Sequence, residues 1–197
     1  MTAVPGSRRR PDRSPDFSLR DLLIITLMAA LGMAVKPLLQ PFSRLMLNAF
    51  QVPGGVIFGG FYMMWLALAR GLADRPGGGI LAALIQGVVA LALGLSPASG
   101  VLSLVTFLLP GAAVELAFGI PGRGTLSLAS RYLSSCVLAN LTGVGMVILI
   151  RGFGRQPAIV LLILGGLSGI FGGLLAFAVS AKIPRRFLAV SPPRGDA

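Results

Sequence analysis

The chain has 197 residues, of which 55% are hydrophobic and 12% charged, and its mean hydropathy is +0.87. Histidine is absent and Cys136 is the one cysteine, which excludes a Ser–His–Asp or Cys–His nucleophile and makes a transition-metal site difficult to assemble. The formal net charge of +11 does not indicate a nucleic-acid partner, because the basic residues flank apolar segments as in membrane proteins.

Six apolar segments connected by short loops follow in chain order, and they occupy residues 22–39, 52–69, 79–95, 101–118, 128–150 and 158–181. A helix needs about 20 mostly apolar residues to cross a hydrocarbon core of about 30 Å. The sequence therefore predicts an all-α polytopic membrane protein, a bundle of six transmembrane helices. We assign residues 1–20 to a disordered basic tail that contacts lipid headgroups, 21–183 to the transmembrane domain and 184–197 to a C-terminal tail.

Basic residues are distributed unequally between the two sides of these six segments. Four of the 17 Lys and Arg residues fall on the side opposite the N-terminus, namely Lys36, Arg44, Arg151 and Arg155. The positive-inside rule then predicts a multi-pass protein of the cell membrane with both termini in the cytoplasm.

Small residues recur at helical spacing in two of the segments. Gly165, Gly169 and Gly173 lie on one face of the sixth segment, where we expect close packing within the bundle. Ala30 and Ala34 form a similar pair in the first segment, and either an internal or an external helix can pack against them.

Polar side chains are costly in hydrocarbon and usually face the bundle interior or a cavity. An outer-half set rich in amides and hydroxyls suits a small, partly polar organic molecule better than an inorganic ion, and it includes Ser99. The candidate substrate-binding residues are Lys36, Gln40, Asn48, Gln51, Gln86, Thr106 and Asn140. Snorkelling of Lys36 to the headgroups and structural hydrogen bonds of Gln86 and Asn140 are the alternatives.

Two further expectations concern the ends of the bundle. Residues 40–53 mix polar and apolar side chains, and their composition predicts an ordered flap on the outer surface. Glu115, in the inner part of the fourth segment, is expected to pair with Arg123 or Arg131.

Three stretches of the sequence resemble the substrate-binding S component of energy-coupling factor (ECF) vitamin transporters. They are residues 29–37 with the Ala30–Ala34 pair, residues 59–65 followed by Arg75-Pro76-Gly77, and residues 100–116 with Gly111 four positions before Glu115. The Arg75-Pro76-Gly77 turn and the Gly111–Glu115 spacing are similar to the hydroxymethylpyrimidine and thiamine branch of this family. Gln86, however, stands where we expect an acidic residue in that branch.

The resemblance implies a non-enzymatic six-helix protein without a cofactor that captures a vitamin or vitamin precursor at the outer face. It also implies docking through Ala30 and Ala34 to a transmembrane coupling (T) subunit, which acts with two ATPase subunits. Two other interpretations remain open, a self-contained transporter or exporter acting as an oligomer and a ligand-free membrane scaffold.

Overall fold

The computed structural model of the protein describes residues 17–95, 101–119 and 128–183. These residues form seven helices, which confirms the predicted all-α class. The helices are α1 (Leu19–Phe50), α2 (Gly54–Ile57), α3 (Gly59–Ala73), α4 (Gly78–Ala92), α5 (Val101–Gly119), α6 (Leu128–Arg151) and α7 (Arg155–Lys182).

The helices differ in how much of a membrane each can cross. Among the described residues, α1, α5, α6 and α7 are long and apolar enough to span a bilayer individually. α3 and α4 have 15 residues each, about 22 Å of helix. α2 precedes α3 with only Phe58 between them, so together they supply the second of the six expected segments.

The first helix is longer than predicted, and this corrects the expectation of a surface flap at residues 40–53. α1 continues through Pro37 and Pro41 to Phe50, and Gln51 ends it in the left-handed conformation with φ 56°. Each proline removes one helical hydrogen bond, yet both are accommodated without ending the helix. Most of the expected flap is therefore the last turns of α1, which carry its polar side chains on a helix.

Successive long helices run in opposite directions, so the bundle has two distinct ends. At the end where α1 begins, Ser18 caps the helix by accepting from the Asp21 backbone N–H at 3.2 Å. Asp21 also pairs with Arg75, Nε to Oδ2 3.5 Å, which connects α1 to the turn between α3 and α4. We call this end, where α3, α5 and α7 finish, the ion-pair end.

Glu115 is also at the ion-pair end, and it pairs there with Arg70 and not with Arg131. The Arg70 Nε lies 2.9 Å from Glu115 Oε2, while the Gly79 backbone N–H donates to Glu115 Oε1 at 2.6 Å. One carboxylate thus joins α5 to α3 and α4. Arg123, the other expected partner besides Arg131, lies outside the described residues.

Glycines bring the last two helices together, as their spacing predicted. A Cβ on Gly169 or Gly173 would overlap backbone atoms of Val137 or Leu133 on α6, and one on Gly165 would meet Val144. These glycines therefore serve packing within the bundle, since only a bare backbone permits this approach.

Candidate substrate-binding site

A cavity of about 510 Å³ lies at the end of the bundle opposite the ion-pair end and reaches the middle of the helices. Its size is within the range of about 300–1,000 Å³ that is usual for small-molecule sites. We call it the Lys36 cavity. Five of the seven predicted binding residues line it, namely Lys36, Gln40, Gln86, Thr106 and Asn140.

Lys36 extends from the middle of α1 over two aromatic rings. Its Nζ lies 3.9 Å from the centroid of the Phe107 ring on α5 and 5.9 Å from that of Tyr62 on α3. Ring faces attract cations, so these contacts hold the ammonium in the cavity. In the described part of the chain, no carboxylate lies within 4 Å of it. The snorkelling alternative does not describe this placement, because the charge is enclosed by α3 and α5.

Gln86 presents an unsatisfied amide at the wall of the cavity. Its side chain is 3% exposed, and its Nε2 has no hydrogen-bond partner among the described residues. The amide lies against Gly32 of α1, where an added Cβ would overlap Nε2. A buried donor without an acceptor is costly in a folded protein, so it requires an explanation. Nε2 is covered by its neighbours, so a ligand provides the missing acceptor when the Gln86 side chain turns into the cavity.

Asn140 and Thr106 are already engaged with backbone carbonyls. Asn140 Nδ2 donates to the Gly165 carbonyl at 2.7 Å, which links α6 to α7. The Thr106 hydroxyl donates to the Ser103 carbonyl at 2.6 Å. Asn140 thus has the structural hydrogen bond that was its alternative role, and it also lines the cavity. The Thr106 oxygen can still accept a hydrogen bond from a ligand.

Two predicted binding residues are not brought into the Lys36 cavity. Asn48 and Gln51 are exposed and absent from its lining. In a helix, consecutive side chains point about 100° apart. Leu47 of the extended α1 lines the cavity, whereas Asn48 does not. Ser99 lies outside the described residues.

Several lining residues were not among the sequence candidates. Tyr62, Met63 and Phe107 line the cavity without having been proposed as binding residues. Arg44 and Arg151 were assigned to loops, yet both line the cavity. Their position on the sparsely basic side of the chain is the signal that could have identified them.

The Ala30–Ala34 pair lies on a surface that no helix in the described residues covers. Both alanines are exposed, and Leu27 and Leu38 on the same side of α1 are 55% and 71% exposed. α1 packs against α2, α3 and α4 through its other side. The pair therefore forms a shallow notch in an apolar stripe, suited to a lipid tail or to another helix.

A second cavity of about 500 Å³ lies between α1, α2, α3 and α7, and it is almost wholly apolar. Its polar side chain, Ser168, donates to the Ile57 carbonyl at 2.5 Å and accepts from the Gly60 N–H at 2.9 Å. This groove offers no unsatisfied polar group in its described lining. Recognition of a partly polar molecule is therefore better supported at the Lys36 cavity.

Metal ligands are not gathered at either cavity. Within residues 17–95, 101–119 and 128–183, no three His, Cys, Asp or Glu side chains are grouped so that they can hold an ion. Cys136 is buried in α6 and does not line the Lys36 cavity. Transition metals favour imidazole or thiolate ligands, neither of which the described cavity lining supplies.

Two comparisons with known proteins bear on this geometry. Residues 20–142, more than half of the chain, match the family described as "ABC-type cobalt transport system, permease component". The fold is similar to the crystal structure of an S-component of an ECF transporter, with a TM-score of 0.71 and 18% sequence identity over 84% of this chain and 85% of that one. None of the curated proteins matches the sequence.

Proposed function

The chain belongs to the family of permease components of ABC-type cobalt transport systems, and on this basis we propose that it is the substrate-binding subunit of an ECF-type importer. In this role it captures a small organic molecule, such as a vitamin or vitamin precursor, in the Lys36 cavity. The family is one of transport components and not of enzymes. Uptake is driven by a transmembrane coupling subunit and two ATPases.

One observation carries the proposal: a pocket of ligand size is lined by Gln86, whose buried Nε2 has no partner in the described residues. A ligand-free scaffold has no use for such a group, since an apolar side chain at position 86 would fill the same space at lower cost. The aromatic rings of Tyr62 and Phe107 and the apolar lining fit an organic molecule better than a hydrated metal ion.

The exposed Ala30–Ala34 notch supports the second half of the proposal, docking to the coupling subunit. Small residues permit close approach of a partner helix, and α1 presents them on the side away from its own bundle. The cavity is on the other side of the same helix through Lys36. Binding and docking therefore use different faces of α1.

The exporter alternative depends on a membrane carboxylate that cycles protons. Glu115 is the one acidic residue inside a predicted apolar segment, but it accepts from both Arg70 and Gly79 at the ion-pair end. The paired carboxylate is thus committed to holding three helices together. Capture by the Lys36 cavity is the better supported role.

Co-purification tests the proposed function. The tagged chain is produced together with the coupling and ATPase subunits of its own cell, and the complex is isolated in mild detergent. We expect the three named partner subunits to co-purify and ATP-dependent uptake to require this chain. A chain that is isolated free of all of them under these conditions contradicts the proposal.

A further inference from the structure

The cavity end of the bundle carries basic side chains and no acidic ones in the described residues. Lys36, Arg44 and Arg151 all line the Lys36 cavity. The acidic residues with described positions, Asp21, Asp74 and Glu115, are elsewhere, at or next to the ion-pair end. The remaining acids of the sequence are Asp12, Asp16 and Asp196, which lie outside the described residues.

Within the cavity, the groups that lack a partner are donors and not acceptors. The Lys36 ammonium faces aromatic rings, without a carboxylate within 4 Å in the described chain. The Gln86 Nε2 has no acceptor there either. Asn140 Nδ2 and the Thr106 hydroxyl, in contrast, already donate to carbonyls. The chemistry that completes this lining is therefore an oxygen acceptor with negative charge.

From these basic side chains and unpartnered donors in one cavity, we infer that the substrate is an organic anion, a planar ring that bears a carboxylate. This inference rests on the proposed function. The carboxylate accepts from Lys36, and from Gln86 once its covered amide turns into the cavity, while the ring packs on Tyr62 and Phe107. Arg44 and Arg151 have exposed positions near the ends of their helices. They raise the local concentration of anions at the entrance without being buried in the site.

The same arrangement disfavours cationic substrates. A permanently cationic ring such as that of thiamine, or a divalent cobalt ion, would meet three positive side chains and no carboxylate in the described lining. Like charges at close range oppose binding.

A series of three nearly isosteric probes tests the inference: benzoate, benzamide and benzamidinium. They share one ring and differ in charge, so their relative affinities report on the charge preference of the cavity. The measurement is isothermal titration of each probe into the full chain, purified in detergent. We expect benzoate to bind at least about tenfold tighter than either of the others, because it alone is a charged acceptor.

Four variants connect this preference to its residues. Lys36→Met should remove the preference for benzoate, and Lys36→Arg should retain most of it. Arg151→Gln should weaken benzoate more at low salt than at high salt, since the residue is exposed. Arg155→Gln is the matched control, because Arg155 has the same charge at the same end but does not line the cavity. It should leave all three affinities unchanged.

The outcomes separate this inference from the proposed function. Equal or tighter binding of benzamide or benzamidinium overturns the anion assignment, and so does a benzoate preference that persists in Lys36→Met. Failure of benzoate to bind overturns it as well. In each case, co-purification with the coupling and ATPase subunits still decides whether the chain is a capture subunit.

Discussion

Gln86 of α4 lies directly on Gly32 of α1, so closely that a single methyl group at position 32 would overlap the Gln86 amide. Trp65 contacts the same point, with its Cβ and Cγ 3.1 and 3.2 Å from where that methyl group would be. The absence of a side chain at Gly32 therefore determines where the unsatisfied amide of the cavity is held. Gly32 is also between Ala30 and Ala34 in sequence, so α1 positions the cavity wall with one side and exposes the alanines on the other.

Gly32→Ala tests this contact. We expect the new methyl group to displace the Gln86 side chain and weaken binding of the natural substrate about tenfold, with a loss of about 1 kcal/mol in stability from overpacking. Titration calorimetry and thermal melting measure the two effects. Gly166→Ala is the control, because a Cβ there meets nothing within 4 Å. Equal affinities of the two variants would contradict the role of the contact.

Gln86→Leu separates binding from stability. Replacement of a buried donor that has no described partner removes a desolvation cost, so the variant should melt at or above the parental temperature. Substrate affinity should nevertheless fall by about tenfold or more, as expected when a ligand loses one hydrogen bond. A variant that melts well below the parent but binds normally would show that Gln86 is a structural residue.

The general fold was accessible from sequence because hydrophobic segment lengths determine which helices can cross a membrane. The α6–α7 packing was accessible too, since Gly165, Gly169 and Gly173 recur at the spacing that close helices require. The extension of α1 was not, because Pro37 and Pro41 ordinarily end a helix and the polar residues after them are typical of a loop.

The lining of the Lys36 cavity was predicted in part, and its role in substrate binding stays a prediction. Lys36, Gln86, Thr106 and Asn140 are polar within apolar segments, and this contrast distinguishes them from the side chains around them. Tyr62 and Phe107 carry no such signal, because aromatic side chains also pack in cores. The Arg70 partner of Glu115 was missed because it is 45 positions away, and only the packing of α3 against α5 brings the pair together.

The Ala30–Ala34 notch predicts a phenotype confined to coupling. Ala30→Leu with Ala34→Leu fills the notch, so uptake and co-purification with the coupling subunit should fall at least about tenfold while substrate affinity stays parental. The matched control is Ala178→Leu with Ala181→Leu, two exposed alanines on α7. Loss of uptake in both double variants would indicate that any larger side chain on the exposed helix surface impairs the protein. Unchanged uptake in Ala30→Leu with Ala34→Leu would exclude docking at the notch.

The Arg70–Glu115 pair predicts an effect on stability alone. Glu115→Gln leaves the buried Arg70 guanidinium without its counter-ion, so we expect a loss of about 3 kcal/mol in unfolding free energy. Substrate affinity should not change, because the pair is at the opposite end from the cavity. Arg70→Met with Glu115→Leu should cost less than the sum of the single changes, and additive effects in this double-mutant cycle would contradict a direct interaction.

The central claim is that this chain captures a small organic molecule by itself, and mass spectrometry of compounds released from the purified chain tests it most directly. The chain is isolated alone in mild detergent, incubated with a small-molecule extract of its own cells, washed and denatured. The account predicts one organic compound in near one-to-one ratio with the protein, and much less of it from Gln86→Leu. A parental chain that releases no compound after this incubation would contradict the account.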